Sequence, residues 1–144
     1  MAHNVFLSLG SNLGNKEENL RSAIQLIEKQ IGRIVVQSAF YVSDPWGFNS
    51  PNSFANCVIR IDTPLSPFKV LTLTQNIEKE MGRTHKSTNG IYCDRIIDID
   101  ILLYDDIQLQ TTELTIPHPL MHLRDFVMTP LKEIAPEIAQ RFQP

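Results

Sequence analysis

Cysteine is almost absent. Cys57 and Cys93 are the only two in 144 residues, and they have neither C-x-x-C spacing nor a neighbouring His cluster. A disulfide framework and a thiolate metal site are therefore excluded, and both read as free thiols. A positive field is missing too. Thirteen Lys and Arg against sixteen Asp and Glu leave a formal charge of −3, and no run of basic residues supplies a local patch, which argues against a nucleic-acid partner. Long apolar runs are lacking. No stretch approaches the ~20 residues of a membrane span, and the opening MAHNVFLSLG has no basic segment followed by a signal-length apolar one, so the cytoplasm is expected and a membrane is not. What is present is ordinary: 42% hydrophobic residues, nine prolines and six glycines suit a globular chain. A chain of this length buries roughly 68–70% of its unfolded surface, enough for one domain spanning residues 1–144.

Val5, Leu7 and Leu9 alternate with Phe6 and Ser8, the period of a strand, and the pattern stops at Gly10-Ser11-Asn12-Leu13-Gly14. Asn15 with Glu18 three residues on forms an N-cap signature, and Leu20, Ala23, Ile24, Ile27 and Ile31 then make one helical stripe before Gly32 ends it. Two β-branched and aromatic runs follow, Ile34 to Val42 and Phe54 to Ile61, separated by a long loop that is a candidate substrate loop. Ser66-Pro67 caps a second helix over about 67 to 81, with Val70, Leu73, Ile77 and Met81 on one side and Gln75 and Glu78 on the other. Arg83 to Asp94 has no periodicity and reads as a mobile loop, a plausible lid, before a strand from Ile96 to Tyr104. Beyond lie a turn at Asp105-Asp106, a weak strand near Leu109 to Ile116, the rigid Pro117-His118-Pro119, and short helical pieces after Met121 and Lys132. The order β, α, β, β, α, β predicts a split βαβ fold of the α+β class: an antiparallel sheet with two helices on one face and the other face free for a ligand.

In Ile97-Asp98-Ile99-Asp100-Ile101, strand alternation puts both carboxylates on one face and the isoleucines on the other. Two acids so close repel unless something positive lies between them, and such hard oxygen ligands suit Mg²⁺ shared with phosphate oxygens. An amphipathic strand with a solvated acidic face would show the same alternation. The surrounding basic set tips the balance: Arg83, His85, Lys86, Arg95, His118 and Arg124 fall near loops or strand ends around the aspartates, and arginine forks beside Mg²⁺ are the usual equipment of phosphoryl transfer. The stretch Gly10-Ser-Asn-Leu-Gly14-Asn-Lys16 lacks the G-x-x-x-x-G-K-S/T spacing and is no Walker loop. Trp46, Phe48, Tyr92 and Phe126 lie in or beside loops, where aromatic rings serve flat ligands by stacking. These observations favour a phosphate-handling site and leave two readings open: a Mg²⁺-dependent nucleotidyl or phosphoryl transferase, and a domain of this fold that only binds a small molecule.

Taken together, Gly10-Ser-Asn-Leu, Gln75 with Glu78, Gly82-Arg83, Arg95-x-x-Asp98-Ile-Asp100-Ile, Ile116-Pro-His118, Arg124 and Phe126 resemble the 6-hydroxymethyl-7,8-dihydropterin pyrophosphokinases over about residues 4 to 138. The resemblance implies a ferredoxin-like fold, with a short strand and helices added at the C-terminal end. It also implies transfer of the β,γ-pyrophosphoryl group of ATP to the pterin hydroxymethyl oxygen, with release of AMP in folate biosynthesis. It implies that Asp98 and Asp100 hold two Mg²⁺ ions, that Arg83 and Arg95 neutralise charge on the transferred group, and that His118 and Arg124 contact phosphates. Gln75, Ile101 and Thr115 would line the adenosine region, and Glu78 would orient the nucleotide or its arginine partners. For the pterin it points to backbone groups of Ser43, Asp44 and Trp46, the Asn56 amide, and the stacking ring of Phe126, with Phe54 in the same pocket; Tyr92, which belongs to the divergent segment and not to the family pattern, is expected over the second face. The chain departs from the family's W-G-P-R segment, carrying Tyr92-Cys93-Asp94-Arg95 after a loop about two residues longer, and His85 replaces a frequent arginine. A monomer that takes ATP and 6-hydroxymethyl-7,8-dihydropterin, with no nucleic acid or membrane, is expected.

Overall fold

The first strand, β1 (His3–Ser11), lies at the centre of the sheet and pairs antiparallel with strands on both sides. Its alternation decides which way everything else packs: Val5, Leu7 and Leu9 point to one face, Phe6 and Ser8 to the other. A computed structural model describes residues 2–44, 52–82 and 96–142. The putty-like freedom of a loop is avoided at the end of β1, where Asn15 caps α1 (Lys16–Gln30) by accepting the Glu18 amide through its side chain at 3.2 Å. That bond satisfies one of the orphan donors of the first turn. Helix α1 stops at Gln30, and Gly32 matters for space rather than for a left-handed turn. A Cβ at that position would lie 2.2 Å from the Asp62 carbonyl oxygen, so only glycine lets the chain pass β4 this closely.

The run expected as a single strand from Ile34 to Val42 is two: β2 (Arg33–Gln37) and β3 (Tyr41–Ser43). Both pair with β4 (Phe54–Thr63). The break has a physical cause at Ser38, whose backbone N–H donates to the Val58 carbonyl at 3.0 Å while its hydroxyl accepts the Val58 N–H at 3.0 Å. A side chain there replaces the main chain in the ladder, and the strand turns away. Helix α2 (Pro67–Glu80) starts at Ser66, whose hydroxyl accepts the Lys69 amide. The last long strand, β5 (Asp98–Tyr104), lies at the edge, giving the order β2-β4-β1-β5. This is the split βαβ arrangement that the element order predicts. The weak strand expected over Leu109 to Ile116 is a small hairpin of β6 (Leu109–Gln110) and β7 (Thr115–Ile116).

One expectation needs correction. Helices α1 and α2 cover one face, packing Leu20, Ala23, Ile27, Val70 and Ile77 on Val5, Leu7, Leu9, Ile59 and Ile99. The opposite face, however, is not left free along its whole length. A 3₁₀ turn (Met121–Leu123), α3 (Asp125–Ile134) and α4 (Pro136–Gln140) lie on it, with Met121, Val127, Met128, Leu131 and Ala139 buried against Phe6, Val58 and Leu102. The reason is the apolar character of those strand positions: Phe6 and Val58 are 2% and 0% exposed, and leaving such side chains in water would forgo roughly 1.5–3 kcal/mol each. Helix α3 runs through Pro130, a residue type ordinarily kept out of helix interiors. Its buried face onto the sheet outweighs the hydrogen bond that proline cannot make.

Candidate active site

The covering helices stop where the polar part of the same sheet face begins. On β5, Asp98 and Asp100 stand on this face while Ile99 and Ile101 enter the opposite core, at 2% and 4% exposure. A register shift in the β1–β5 pairing between Phe6 and Leu7 then breaks the alternation. Beyond it Leu102 and Leu103 both join the cluster under α3. The bulge thus separates a polar end of the strand from an apolar one.

Register brings the site together. Gly10 of β1 pairs with Asn56 of β4 on one side and Asp98 of β5 on the other, and Ser8 likewise lies between Val58 and Asp100. Two strand spacings therefore separate Asn56 from Asp98, roughly 10 Å across the sheet. Gly10 leaves the floor between them low: a Cβ there would meet Asn56 Oδ1 at 3.2 Å and Phe54 Cδ1 at 3.4 Å. Asn56 is 2% exposed, and its Nδ2 donates to the Tyr41 carbonyl at 3.1 Å and to Ser43 Oγ at 2.8 Å. With both donors turned toward β3, its Oδ1 acceptor faces the space over Gly10.

Around the aspartates the C-terminal segment adds basic and aromatic groups. Arg124, 7% exposed at the start of α3, has Nη1 4.0 Å from Asp100 Oδ2 and its guanidinium 5.6 Å from the centre of the Phe126 ring. His118 is held on both sides. Its N–H donates to the Leu102 carbonyl at 2.9 Å, and its Nδ1 accepts the Leu120 amide at 3.2 Å. With Nδ1 accepting, the neutral ring carries its proton on Nε2, a donor suited to an anion.

Of the remaining predicted residues, Glu78 is 3% exposed, and its Oε2 accepts the backbone N–H of Ile99 at 2.8 Å. It thereby occupies the open edge of β5 between the two aspartates, a positioning contact beside the expected role of orienting the nucleotide or its arginine partners. Ile101 is committed to the core by its side chain, so any ligand contact there falls to its backbone. Thr115 lies on β7 and Gln75 on α2, both half-buried; Phe54 and Phe126 are half-buried and Asp44 is exposed. Trp46, Arg83, His85, Lys86, Tyr92, Cys93 and Arg95, and with them the expected lid, lie outside the described residues. Cys57 is a free, fully buried thiol whose pKa burial pushes up to about 12.

Sequence reasoning missed Gly10 as a functional position in its own right, because its meaning lies in which residues flank it across the sheet. It also missed Lys16, whose Nζ donates to the Ser53 carbonyl and hydroxyl at 3.1 Å each and ties the start of α1 to the start of β4. A separate cavity of about 410 Å³ at the other end of β1 is lined by Asn4, Phe6, Asp105 and Phe142 among others and includes none of the predicted site residues.

Two carboxylates on one strand face, beside a glycine that keeps the adjoining space open, fit a hard divalent cation. Among the described residues no group of three or more His, Cys, Asp and Glu is gathered for a metal, so phosphate oxygens and water would complete an octahedral shell.

A family model described as 7,8-dihydro-6-hydroxymethylpterin-pyrophosphokinase matches residues 6–136. A curated relative from Porphyromonas gingivalis, the 2-amino-4-hydroxy-6-hydroxymethyldihydropteridine pyrophosphokinase, is 48% identical over 133 residues, covering 92% of this chain and 90% of its own. The Bacillus subtilis protein of the same name is 39% identical over 135 residues, covering 93% of this chain and 79% of its own. Among solved structures, a Plasmodium falciparum HPPK-DHPS matches with a TM-score of 0.76 at 18% identity, covering 95% of this chain and 42% of that one. At that identity the likeness bears on fold alone, which is the ferredoxin-like α+β fold. The chain spans about two fifths of that chain's length.

Proposed function

The chain belongs to the 7,8-dihydro-6-hydroxymethylpterin-pyrophosphokinase family of folate biosynthesis, and we propose that it divides that reaction between two strands, with the triphosphate at Asp98 and Asp100 and the pterin at Asn56. The observation that carries this reading is the row Asn56–Gly10–Asp98. It sets a buried amide acceptor and a carboxylate pair on one sheet face, a short molecule's length apart.

On the pterin side, Asn56 Oδ1 receives the donor edge of the heterocycle, and backbone groups of Ser43, Asp44 and Trp46 meet the rest. Phe126 stacks on the ring, Phe54 lines the same pocket, and Tyr92 covers the second face. An amide fixed in this way discriminates strongly, because a mismatched ligand leaves a buried polar group unpaired at about 1–3 kcal/mol. On the nucleotide side, Asp98 and Asp100 would hold two Mg²⁺ ions; bound there, Mg²⁺ supplies charge neutralisation for the triphosphate and lowers the pKa of a coordinated hydroxyl. His118 donates from Nε2 to a phosphate oxygen, and Arg124 meets a second phosphate oxygen while its guanidinium stays beside Asp100. Arg83 and Arg95 neutralise charge on the transferred group, and Gln75, Thr115 and the backbone of Ile101 border the adenosine. The pterin hydroxymethyl oxygen attacks the β-phosphorus in line, the bond to the α-phosphate oxygen breaks, and AMP leaves. The 144 residues act as one catalytic domain.

The test is a product assay. Purified protein with Mg²⁺, ATP and 6-hydroxymethyl-7,8-dihydropterin should form AMP, chelation of the metal should stop it, and Asp98→Ala or Asp100→Ala should lower the rate by several orders of magnitude. ADP as the nucleotide product would refute the reading.

A further inference from the structure

Strand β3 is three residues long and has little to hold it. Among the described residues it pairs with β4 alone, Val42 in its middle is 79% exposed, and the Ser38–Phe40 interruption separates it from β2. Three residues is the short end of the range for strands, so its ladder with β4 holds few bonds. Polar tethers from α3 meet it at this point. Glu133 accepts the Ala39 N–H with both carboxylate oxygens at 3.1 Å, and its Oε1 accepts the Tyr41 hydroxyl at 2.5 Å. Bonds to an ionised acceptor of this kind are short and strong.

We propose that Glu133, acting through Tyr41, is a positioning residue for the pterin: it fixes β3, and β3 fixes which way the Asn56 amide faces. This rests on the reading of Asn56 as a pterin ligand. The link is direct, because the Tyr41 carbonyl and Ser43 Oγ are the two acceptors that hold Asn56 Nδ2. An amide has an acceptor on one side and two donors on the other, and the torsion that exchanges them is soft. Held by β3, Asn56 presents Oδ1 over Gly10. Released, it turns, and a donor then faces the donor edge of the ligand. Neither Glu133 nor Tyr41 needs to touch pterin or ATP for this effect. Three features meet in it: a helix on the covered half of the sheet face, a short strand whose central side chain is exposed, and an amide in the open half.

The test reads the amide and the ligand separately, in Asn56→Ala, Tyr41→Phe, Glu133→Ala, Glu133→Gln and the Tyr41→Phe/Glu133→Ala double variant. Nuclear magnetic resonance would follow hydrogen exchange at the Asn56 side-chain amide, and titration with 6-hydroxymethyl-7,8-dihydropterin would give its affinity. Tyr41→Phe and Glu133→Ala should speed amide exchange and weaken pterin binding, each by about tenfold, the factor that one charge-assisted hydrogen bond commands. The double variant should be no worse than Glu133→Ala, and Glu133→Gln, which still offers an acceptor, should recover most of the loss. In the Tyr41 and Glu133 variants the Michaelis constant for ATP and kcat at saturating pterin should stay within twofold of wild type. If Glu133→Ala does not fold, Tyr41→Phe carries the test, since it removes one oxygen and keeps the ring. Wild-type pterin affinity in Tyr41→Phe, or weakened affinity with unchanged exchange at Asn56, would overturn the positioning role. Failure of the wild-type protein to bind the pterin, or undiminished binding by Asn56→Ala, would sink the site reading and the positioning role with it.

Discussion

Gly10 has ordinary strand geometry, and what restricts it is space: Asn56 Oδ1 and Phe54 Cδ1 lie 3.2 and 3.4 Å from where a Cβ would be. Gly10→Ala should therefore leave the protein folded while pushing the amide and the ring out of place. A loss of pterin affinity without a comparable loss of ATP affinity, measured by titration of each ligand, is the expected result. Asp105 is a different kind of special residue. It has φ +47 at the end of β5, a conformation that Asp and Asn tolerate better than most. Burial pushes its carboxyl up, but the Asn4 amide and the His3 ring, each 2.7 Å from one of its oxygens, outweigh that, and its pKa is lowered. A carboxyl depressed on folding contributes stability that is complete above its unfolded value of about 4 and lost as pH falls through the folded one. Asp105→Asn keeps the turn and removes the titration, so urea unfolding between pH 7 and 3 should show a shallower acid decline in the variant than in wild type.

Elements in this molecule owe their precision to single side chains at their margins. The edge of β5 carries the aspartates, and Glu78 occupies that edge by accepting the buried Ile99 N–H. Glu78→Ala should cost about 1–3 kcal/mol in unfolding experiments, the penalty for a buried donor left without its acceptor. It should also lower kcat, because the spacing of Asp98 and Asp100 is set there. Glu78→Gln, retaining an acceptor, should lie between the variant and wild type. Helix α1 and helix α2 were legible because capping and periodicity act within a few residues of sequence. The division of Ile34 to Val42 into β2 and β3 was not, since the Ser38 bonds that cause it reach Val58, twenty residues away.

At the scale of the whole molecule, the sheet is packed on both faces, and the second layer decides how much of one face a ligand can use. Leu131 of α3 is fully buried in that layer, so Leu131→Ala should destabilise the protein by about 2–5 kcal/mol in urea unfolding. By itself the sequence determined the alternation that puts Asp98 and Asp100 on one side of a strand, the two capped helices, and the family pattern running from Gly10 to Phe126. Those signals are local, carried by strand and helix periods and by fixed spacing along the chain. The tertiary structure decided what depends on neighbours distant in sequence. Register set Gly10 between Asn56 and Asp98. The apolar end of the same face drew α3 across it and through Pro130. The buried edge of β5 set the Glu78 carboxylate on the Ile99 N–H. Packing weighs contacts from many parts of the chain at once, and no window of sequence contains them all.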